Sequence, residues 1–277
     1  MRSTTKTTLF DLNPFYGLIA VSGSEAATFL QGQITADIRT ITSTQPGFSA
    51  YCNAKGRIRA LFRIFFHHEC YFLQLPVGVL PSALATLKKY ARFSKVKLED
   101  VSEQWQRIGI CLTHADLKTI DFLDLKDIIL LPLPSPEFYK RFELIGLPNI
   151  VKPLWDLFLA SENSVISDFD AWKYLDIQAG IPEIWPETIE QFLPHSLNLP
   201  ALGAVSFNKG CYCGQEIVAR MEYRANVKHK LFNTTLPDAN SIPLPSDKLY
   251  AENGSDEIIG TVVTASRTEI LGVKSKQ

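Results

Sequence analysis

Two thiols, an amine, an amide and a carboxylate lie within eight residues, from Lys209 to Glu216, in the order Lys-Gly-Cys-Tyr-Cys-Gly-Gln-Glu. Cys211 follows Lys209 by two positions, and the run from Gly214 to Met221 is typical of the opening of a helix. A nearby ammonium and the positive end of a helix dipole both favour a thiolate. The spacing makes Cys211 a candidate reactive thiol with Lys209 beside it. A small buried thiol is the alternative, because the sequence places no histidine base nearby.

Cys211 and Cys213 form a C-x-C pair, which we weighed as a disulfide and as a metal site. A disulfide between them would close a very short, strained ring. Zinc needs about four ligands, and the sequence has no second cysteine or histidine pair close to these two. We therefore expect no metal here.

The composition is that of an ordinary globular protein. With 277 residues, 46% of them hydrophobic, the chain can bury a large core in one large domain or two to three small ones. A net charge of −1 argues against a surface built as a whole for nucleic acid or anionic lipid. Five dispersed cysteines, the lack of a signal-like leader and the lack of a long apolar run predict a cytoplasmic protein without a membrane partner.

The segments that must position the octet alternate between helical and strand patterns. Helices are predicted at 24–30 with Ser22 or Ser24 as cap, 80–91, 138–145 and 168–178. Strands are predicted at 58–66 and 70–75, joined by a hairpin turn, and at 107–112, 128–133, 230–236, 258–265 and 270–274. The Pro-rich run 132–136 indicates a loop. This order favours an α+β fold, and the dinucleotide, P-loop and Gly-x-Ser-x-Gly signatures are all absent from the sequence.

Several motifs together resemble the YgfZ family of folate-binding proteins, relatives of the glycine-cleavage T-protein, which is an aminomethyltransferase. The octet 209–216 and the following Ile-Val-Ala-Arg220 are similar to the family signature. Further similar segments occur in the family's order at 29–37, 53–57, 93–100, 179–182 and 192–198. The resemblance covers roughly residues 9 to 232.

The resemblance implies T-protein-like folate-binding subdomains around a central cavity over residues 1–226, followed by a small C-terminal β-barrel over 227–277. It implies a folate-binding accessory protein for assembly or repair of iron–sulfur proteins, including enzymes that thiolate tRNA bases. The implied cofactor is tetrahydrofolate or a related reduced folate. Cys211 is then the functional thiol, and the candidate pocket groups are Tyr212, Gly214, Gln215, Glu216, Arg220 and Gln178.

Three positions depart from the related patterns. Gln178 stands where T-proteins carry a glutamate that binds the pterin edge, and an amide cannot supply the same charge-assisted bond. Ala60 and Leu61 replace the acidic pair of T-proteins, so we expect no aminomethyltransferase activity. Cys213 replaces the usual Thr, Ile or Val, and is a resolving thiol, a cluster ligand or a tolerated small side chain. A folate-dependent one-carbon transferase or demethylase remains the alternative function.

A basic run after the octet is a candidate for weak contact with tRNA phosphates or with the carboxylates of a polyglutamate-bearing folate. Its members are Arg220, Arg224, Lys228, His229 and Lys230. A solvated surface is the favoured interpretation, because the net charge gives no support to nucleic-acid binding. A structural turn is also the favoured interpretation of the polar segment with Asn53, Lys55 and Arg57, since such turns commonly join strands.

Overall fold

The computed structural model describes residues 7–113, 127–135, 139–161, 164–224, 229–236, 241–251 and 257–275. The strands are β1 (Thr7–Asp11), β2 (Tyr16–Ser22), β3 (Gly47–Cys52), β4 (Ile58–His67), β5 (Cys70–Pro76), β6 (Lys97–Asp100), β7 (Gln106–Thr113), β8 (Ile128–Leu133), β9 (Tyr139–Gly146), β10 (Ser164–Ser167), β11 (His229–Thr235), β12 (Lys248–Tyr250), β13 (Ile258–Ala265) and β14 (Glu269–Ser275). The helices are α1 (Ala26–Gln33), α2 (Leu80–Tyr90), α3 (Pro148–Leu159), α4 (Phe169–Gln178) and α5 (Gln215–Arg224).

The strands form three sheets. The first sheet has the order β10-β1-β7-β9-β8, in which β1 and β10 are parallel and the other pairs antiparallel. The second sheet has the order β3-β4-β5-β2-β6 and is antiparallel throughout. The C-terminal sheet has the order β11-β14-β13-β12. Helices and mostly antiparallel sheets are combined here, which confirms the predicted α+β class.

The alternation of side chains along the strands divides the core into layers. In β9, Leu144 packs with α3 on the outer face of the first sheet, whereas Ile145 packs between the two large sheets. In β4, Phe65 faces the same interface between the sheets, and its neighbour Ile64 faces the core shared with α1 and α2. Because side chains two apart share a face, Arg63 and Glu143 also face the interface between the sheets.

Most predicted elements are confirmed by the structure. The hairpin of β4 and β5 turns at His68 and Glu69, both of which have positive φ. Helix α2 starts with Pro81 in its first turn, and α4 is capped by Asp168, whose side chain accepts from the backbone N–H of Ala171. Helix α5 begins directly after Gly214, as the octet sequence predicted.

The predicted helix over 138–145 is wrong: residues 139–146 are strand β9, and Phe138 lies outside the described residues. The strand pairs on both sides, with β7 and with β8. The prediction relied on aromatic residues at helical spacing, whereas Arg141 and Glu143, two positions apart, are buried on one face of a strand. The Pro-rich loop also begins later than predicted, since Pro132 and Leu133 belong to β8.

The predicted start of the first helix is also wrong. Helix α1 begins at Ala26, with Glu25 as its N-cap residue and without a side-chain cap hydrogen bond. Ser22 ends strand β2 instead, and Ser24 lies in the turn before the helix. Strand β2 therefore extends to Ser22, and the helix that contains Ala26, Phe29 and Leu30 begins two residues later than predicted.

The C-terminal strands do not close on themselves in the described residues, so the predicted β-barrel is wrong. They form an open four-stranded sheet whose outer strands are β11 and β12. The sheet packs on α4, where Lys173 Nζ donates to the carbonyl oxygen of Ala265 at 2.7 Å. The predicted division between 226 and 227 falls among residues that are not described and stays a prediction. None of the described helices has the length and hydropathy required to cross a membrane.

Candidate functional site

The octet is held to the body of the protein by Lys209. This side chain is 9% exposed, and its Nζ donates to the carbonyl oxygens of Ile34 and Ala36, each at 2.7 Å. The Tyr212 ring centroid lies 5.2 Å from the same nitrogen. Burial lowers the pKa of Lys209 to about 8. Lys209 therefore anchors the octet to the segment that follows α1.

A second anchor is the contact between two glycines. Gly214 has φ +82°, and a Cβ on it would lie 2.9 Å from Gly56 Cα and closer still to the carbonyl oxygen of Asn53. Gly56 has φ +71° and packs against Ile217 of α5. Both positions require glycine, since the left-handed region is costly for other residues. The octet thus contacts the turn between β3 and β4.

The thiols of the site differ in exposure. Cys211 is exposed, Cys213 is half-buried and Cys52, at the end of β3, is fully buried. Burial raises the pKa of the Cys52 thiol to about 12, and the nearby Cys213 thiol adds to the rise. Within the described residues, no cluster of three or more His, Cys, Asp or Glu side chains is placed to hold a metal ion.

The other predicted pocket groups differ in burial and in their partners. Tyr212 is buried, and its burial raises the pKa of the phenol. Gln215 is half-buried at the start of α5. Glu216 and Arg220 form an exposed ion pair of 2.8 Å along the same helix. Gln178 lies exposed at the end of α4.

The basic run is only partly described. Arg220 forms an ion pair with Glu216, and Lys230 is exposed on β11. Lys228 and the side chains of Arg224 and His229 lie outside the described residues.

A cavity of about 520 Å³ lies between the two large sheets. Phe48 and Arg63 of the second sheet and Leu131 and Leu133 of the first sheet line it, together with Ala36, Thr40, Ile41, Thr44, Gln45, Pro46, Gly47, Pro132, Leu202 and Gly203. This volume is within the range of small-molecule sites. The octet contributes no lining residue, but Ala36, whose carbonyl accepts from Lys209, is part of the wall.

A network of buried charges adjoins the cavity. Arg63 pairs with Glu143 at 2.7 Å and with Asp176 at 3.0 Å, and Asp176 also pairs with Arg141 at 2.9 Å. The network joins strand β4, strand β9 and helix α4. Removing one partner would leave an unpaired charge in the interior, so these ions fix the relative positions of the three elements.

Glu183 extends the network toward the cavity. Its Oε1 accepts the Tyr16 hydroxyl at 2.5 Å and lies 3.7 Å from Arg63 Nη2. Burial raises the pKa of Glu183 to about 7, and the Asp176 carboxylate adds to the rise. Arg63 Nε and Gln74 Oε1 are buried without hydrogen-bond partners in the described residues. Arg63 in the cavity wall therefore offers a donor to a bound molecule, whereas the free acceptor of Gln74 lies outside that wall.

Similar proteins place the chain in a family. A Photobacterium profundum protein named tRNA-modifying protein YgfZ is 32% identical over 91% of this chain and 77% of its own length. A Photorhabdus laumondii protein of the same name is 33% identical over 95% of this chain and 81% of its own length. The chain belongs to the YgfZ family. An uncharacterized Haemophilus influenzae protein is also 37% identical over 78% of this chain and 70% of its own length. No family model matches the chain.

The fold has a counterpart among solved structures. The glycine cleavage system aminomethyltransferase T from Bartonella henselae superposes with a TM-score of 0.74, covering 98% of this chain and 78% of that protein. At 17% identity the likeness shows the fold alone. It confirms the T-protein-like α+β architecture that the motifs predicted for this YgfZ-family chain.

The structure brings together four of the segments that resemble YgfZ motifs. The octet contacts the 34–36 segment through Lys209 and the 53–57 turn through Gly214. The backbone N–H of Ile58, next to that turn, donates to the carbonyl oxygen of Phe192 in another motif. Sequence reasoning missed the buried network of Arg63, Glu143, Asp176 and Glu183. The available signal was a charge within an apolar strand, at Arg63 and at Glu143.

Proposed function

We propose that this chain is a folate-binding accessory protein for iron–sulfur proteins, including those that modify tRNA. The observation that carries the folate part is the 520 Å³ cavity with the unpartnered Arg63 Nε in its wall. A reduced pterin is a planar heteroaromatic with hydrogen-bonding edges, so it needs apolar walls and a few fixed polar groups. Phe48, Leu131 and Leu133 supply the apolar walls. The YgfZ relatives and the T-protein-like fold support the proposal.

The residues that would hold a reduced folate are those of the cavity wall. Arg63 would donate to the heterocycle, while Phe48 would cover its face. Thr40, Thr44 and Gln45 are exposed at the rim of the cavity and would meet the part of the molecule that extends outward. A bound tetrahydrofolate would supply a carrier for a one-carbon unit.

Cys211 would act outside this cavity. It is exposed and does not belong to the described cavity wall. An exposed thiol is accessible to a second protein, which fits a role toward iron–sulfur clients. Lys209 would act as a positioning residue, because its ammonium is bound to two backbone carbonyls.

Titration calorimetry with tetrahydrofolate tests the folate part. We expect binding by the wild type and its loss in Thr44→Trp, which places an indole at the cavity rim. Thr86→Trp is the matched control, because Thr86 lines a separate pocket formed with α2. The absence of binding to the wild type, or unchanged binding to Thr44→Trp, would remove the proposed site.

Complementation tests the thiol part. In cells that lack the native protein, the activity of an iron–sulfur tRNA-thiolating enzyme should be restored by wild type and by Cys213→Ala but not by Cys211→Ala. Full restoration by Cys211→Ala would rule out a role for this thiol.

A further inference from the structure

A narrow crevice adjoins the central cavity, and the two share Phe48 and Arg63 as walls. Tyr16, Gln74 and Glu183 also line the crevice, whose volume is about 10 Å³. One water-sized group needs about this much room. The crevice therefore has room for a group of the size of an amino nitrogen, but not for a ring.

Two oxygen atoms at the crevice lack donors. Glu183 uses Oε1 to accept from Tyr16, and within the described residues nothing donates to its Oε2. Gln74 donates through Nε2 to Glu143, and its Oε1 is buried without a partner. The Glu183 side chain is 9% exposed, so its free oxygen is largely shielded from bulk water. Buried acceptors without donors are costly, and a ligand that supplies N–H groups removes that cost.

In the other two carboxylates of the network, each oxygen lies next to a cationic or amide group. Asp176 places Oδ1 on Arg141 and Oδ2 on Arg63. Glu143 Oε2 accepts from Gln74, its Oε1 lies 2.7 Å from Arg63 Nη1 in an ion pair without hydrogen-bond geometry, and Glu143 does not line the crevice. Glu183 is thus the carboxylate of this network that retains a free oxygen at the crevice. Gln178 is exposed and does not line the crevice.

We infer that Glu183 and Gln74 select ligands that carry an exocyclic amino group, and that this amino group occupies the crevice. The ligand class is the 2-amino-4-oxo-pyrimidine ring of pterins and guanines, in which the amino group stands next to a ring N–H. Glu183 Oε2 can accept from one of these two donors and Gln74 Oε1 from the other. Arg63 Nε is a buried donor in the same wall, suited to the ring's oxygen. The inference rests on the proposed folate site, because a reduced folate carries this ring.

The test compares pterin with lumazine, which has a carbonyl oxygen in place of the amino group. Titrations of the full-length wild type should show pterin binding about tenfold to a hundredfold more tightly than lumazine. In Glu183→Gln this preference should shrink to a few-fold, because an amide can donate to the lumazine oxygen. Glu187→Gln is the matched control, since Glu187 is exposed and outside the crevice. Tetrahydrofolate and guanosine are titrated in parallel to distinguish the two sources of the ring.

The outcomes separate this inference from the proposed function. Wild type that binds tetrahydrofolate but does not prefer pterin to lumazine would overturn the inference and leave the folate site in place. An unchanged preference in folded Glu183→Gln would do the same. Guanosine binding in place of tetrahydrofolate would support the crevice and overturn the folate proposal. The absence of binding by every one of these ligands would overturn both.

Discussion

Gly214 packs backbone against backbone on Gly56, which joins the octet to the turn between β3 and β4. A Cβ on Gly214 would lie 2.9 Å from Gly56 Cα, and Gly214 has φ +82°. The exposed Cys211 thiol is three residues away from this contact, so the position of the thiol depends on the two glycines.

Substitution of Gly214 should therefore destabilise the protein. We expect Gly214→Ala to lower the free energy of unfolding by about 2–4 kcal/mol, from the left-handed backbone and the displaced turn. Urea denaturation measures this. Gly210→Ala in the same octet is the control, because a Cβ there meets no atom within 4 Å. Equal stability of the two variants would contradict the contact.

Removal of the Lys209 ammonium should loosen the octet. Lys209→Met leaves the carbonyl oxygens of Ile34 and Ala36 without their donor, and we expect a loss of about 1–3 kcal/mol in unfolding free energy. Lys55→Met, in which an exposed lysine is lost, should change stability by less than about 0.5 kcal/mol. Chemical denaturation of both variants is the measurement, and similar values for the two would show that Lys209 is not an anchor.

The pKa of Glu183 predicts a pH dependence of stability. Burial raises this pKa to about 7 from an ordinary 4.5, so between these values the folded protein holds a proton that the unfolded chain releases. The stability contributed by this group is full below about pH 4.5 and is lost as the pH rises through 7.

Glu183→Gln removes that dependence, because the amide does not titrate. As the pH rises from 5 to 8, the free energy of unfolding of the variant should increase by about 1–3 kcal/mol relative to that of the wild type. Urea denaturation at several pH values measures the difference, and Glu187→Gln should follow the wild type. Parallel profiles for wild type and Glu183→Gln would show that Glu183 keeps an ordinary pKa.

The thiols should react in the order of their exposure. Iodoacetamide should label Cys211 first, and Cys52 at least about a thousandfold more slowly at pH 7.5, because burial raises the Cys52 pKa to about 12. Peptide mass spectrometry over a time course gives the rates. Labelling in concentrated urea should abolish the difference, and similar rates in the folded protein would contradict the burial of Cys52.

The sequence was sufficient for local elements and for the family. The octet, the glycine turn and the hairpin at His68 depend on short-range signals, and these predictions hold in the structure. Strand β9 was missed because its charges are stabilised by partners far away in the chain. Glu143 pairs with Arg63, and Arg141 pairs with Asp176.

The cavity could not be derived in the same way. Its wall combines Phe48 of β3 with Leu131 of β8, two strands from different sheets. Their contact depends on how the sheets pack, which no local pattern reports. The exposure of Gln178 has a similar origin, since the position matched a motif but the orientation depends on how α4 packs.

The buried ions between the sheets also constrain how a ligand exchanges. Opening the interface would break the ion pair of Arg63 and Glu143 and expose the apolar residues packed between the sheets, which is unfavourable. Thr40, Thr44 and Gln45, by contrast, form an exposed polar rim on the same cavity. We therefore expect the 40–45 segment, and not separation of the sheets, to set the association and release rates of a ligand bound in this cavity. Substitutions in that segment should change residence time more than they change the resting structure.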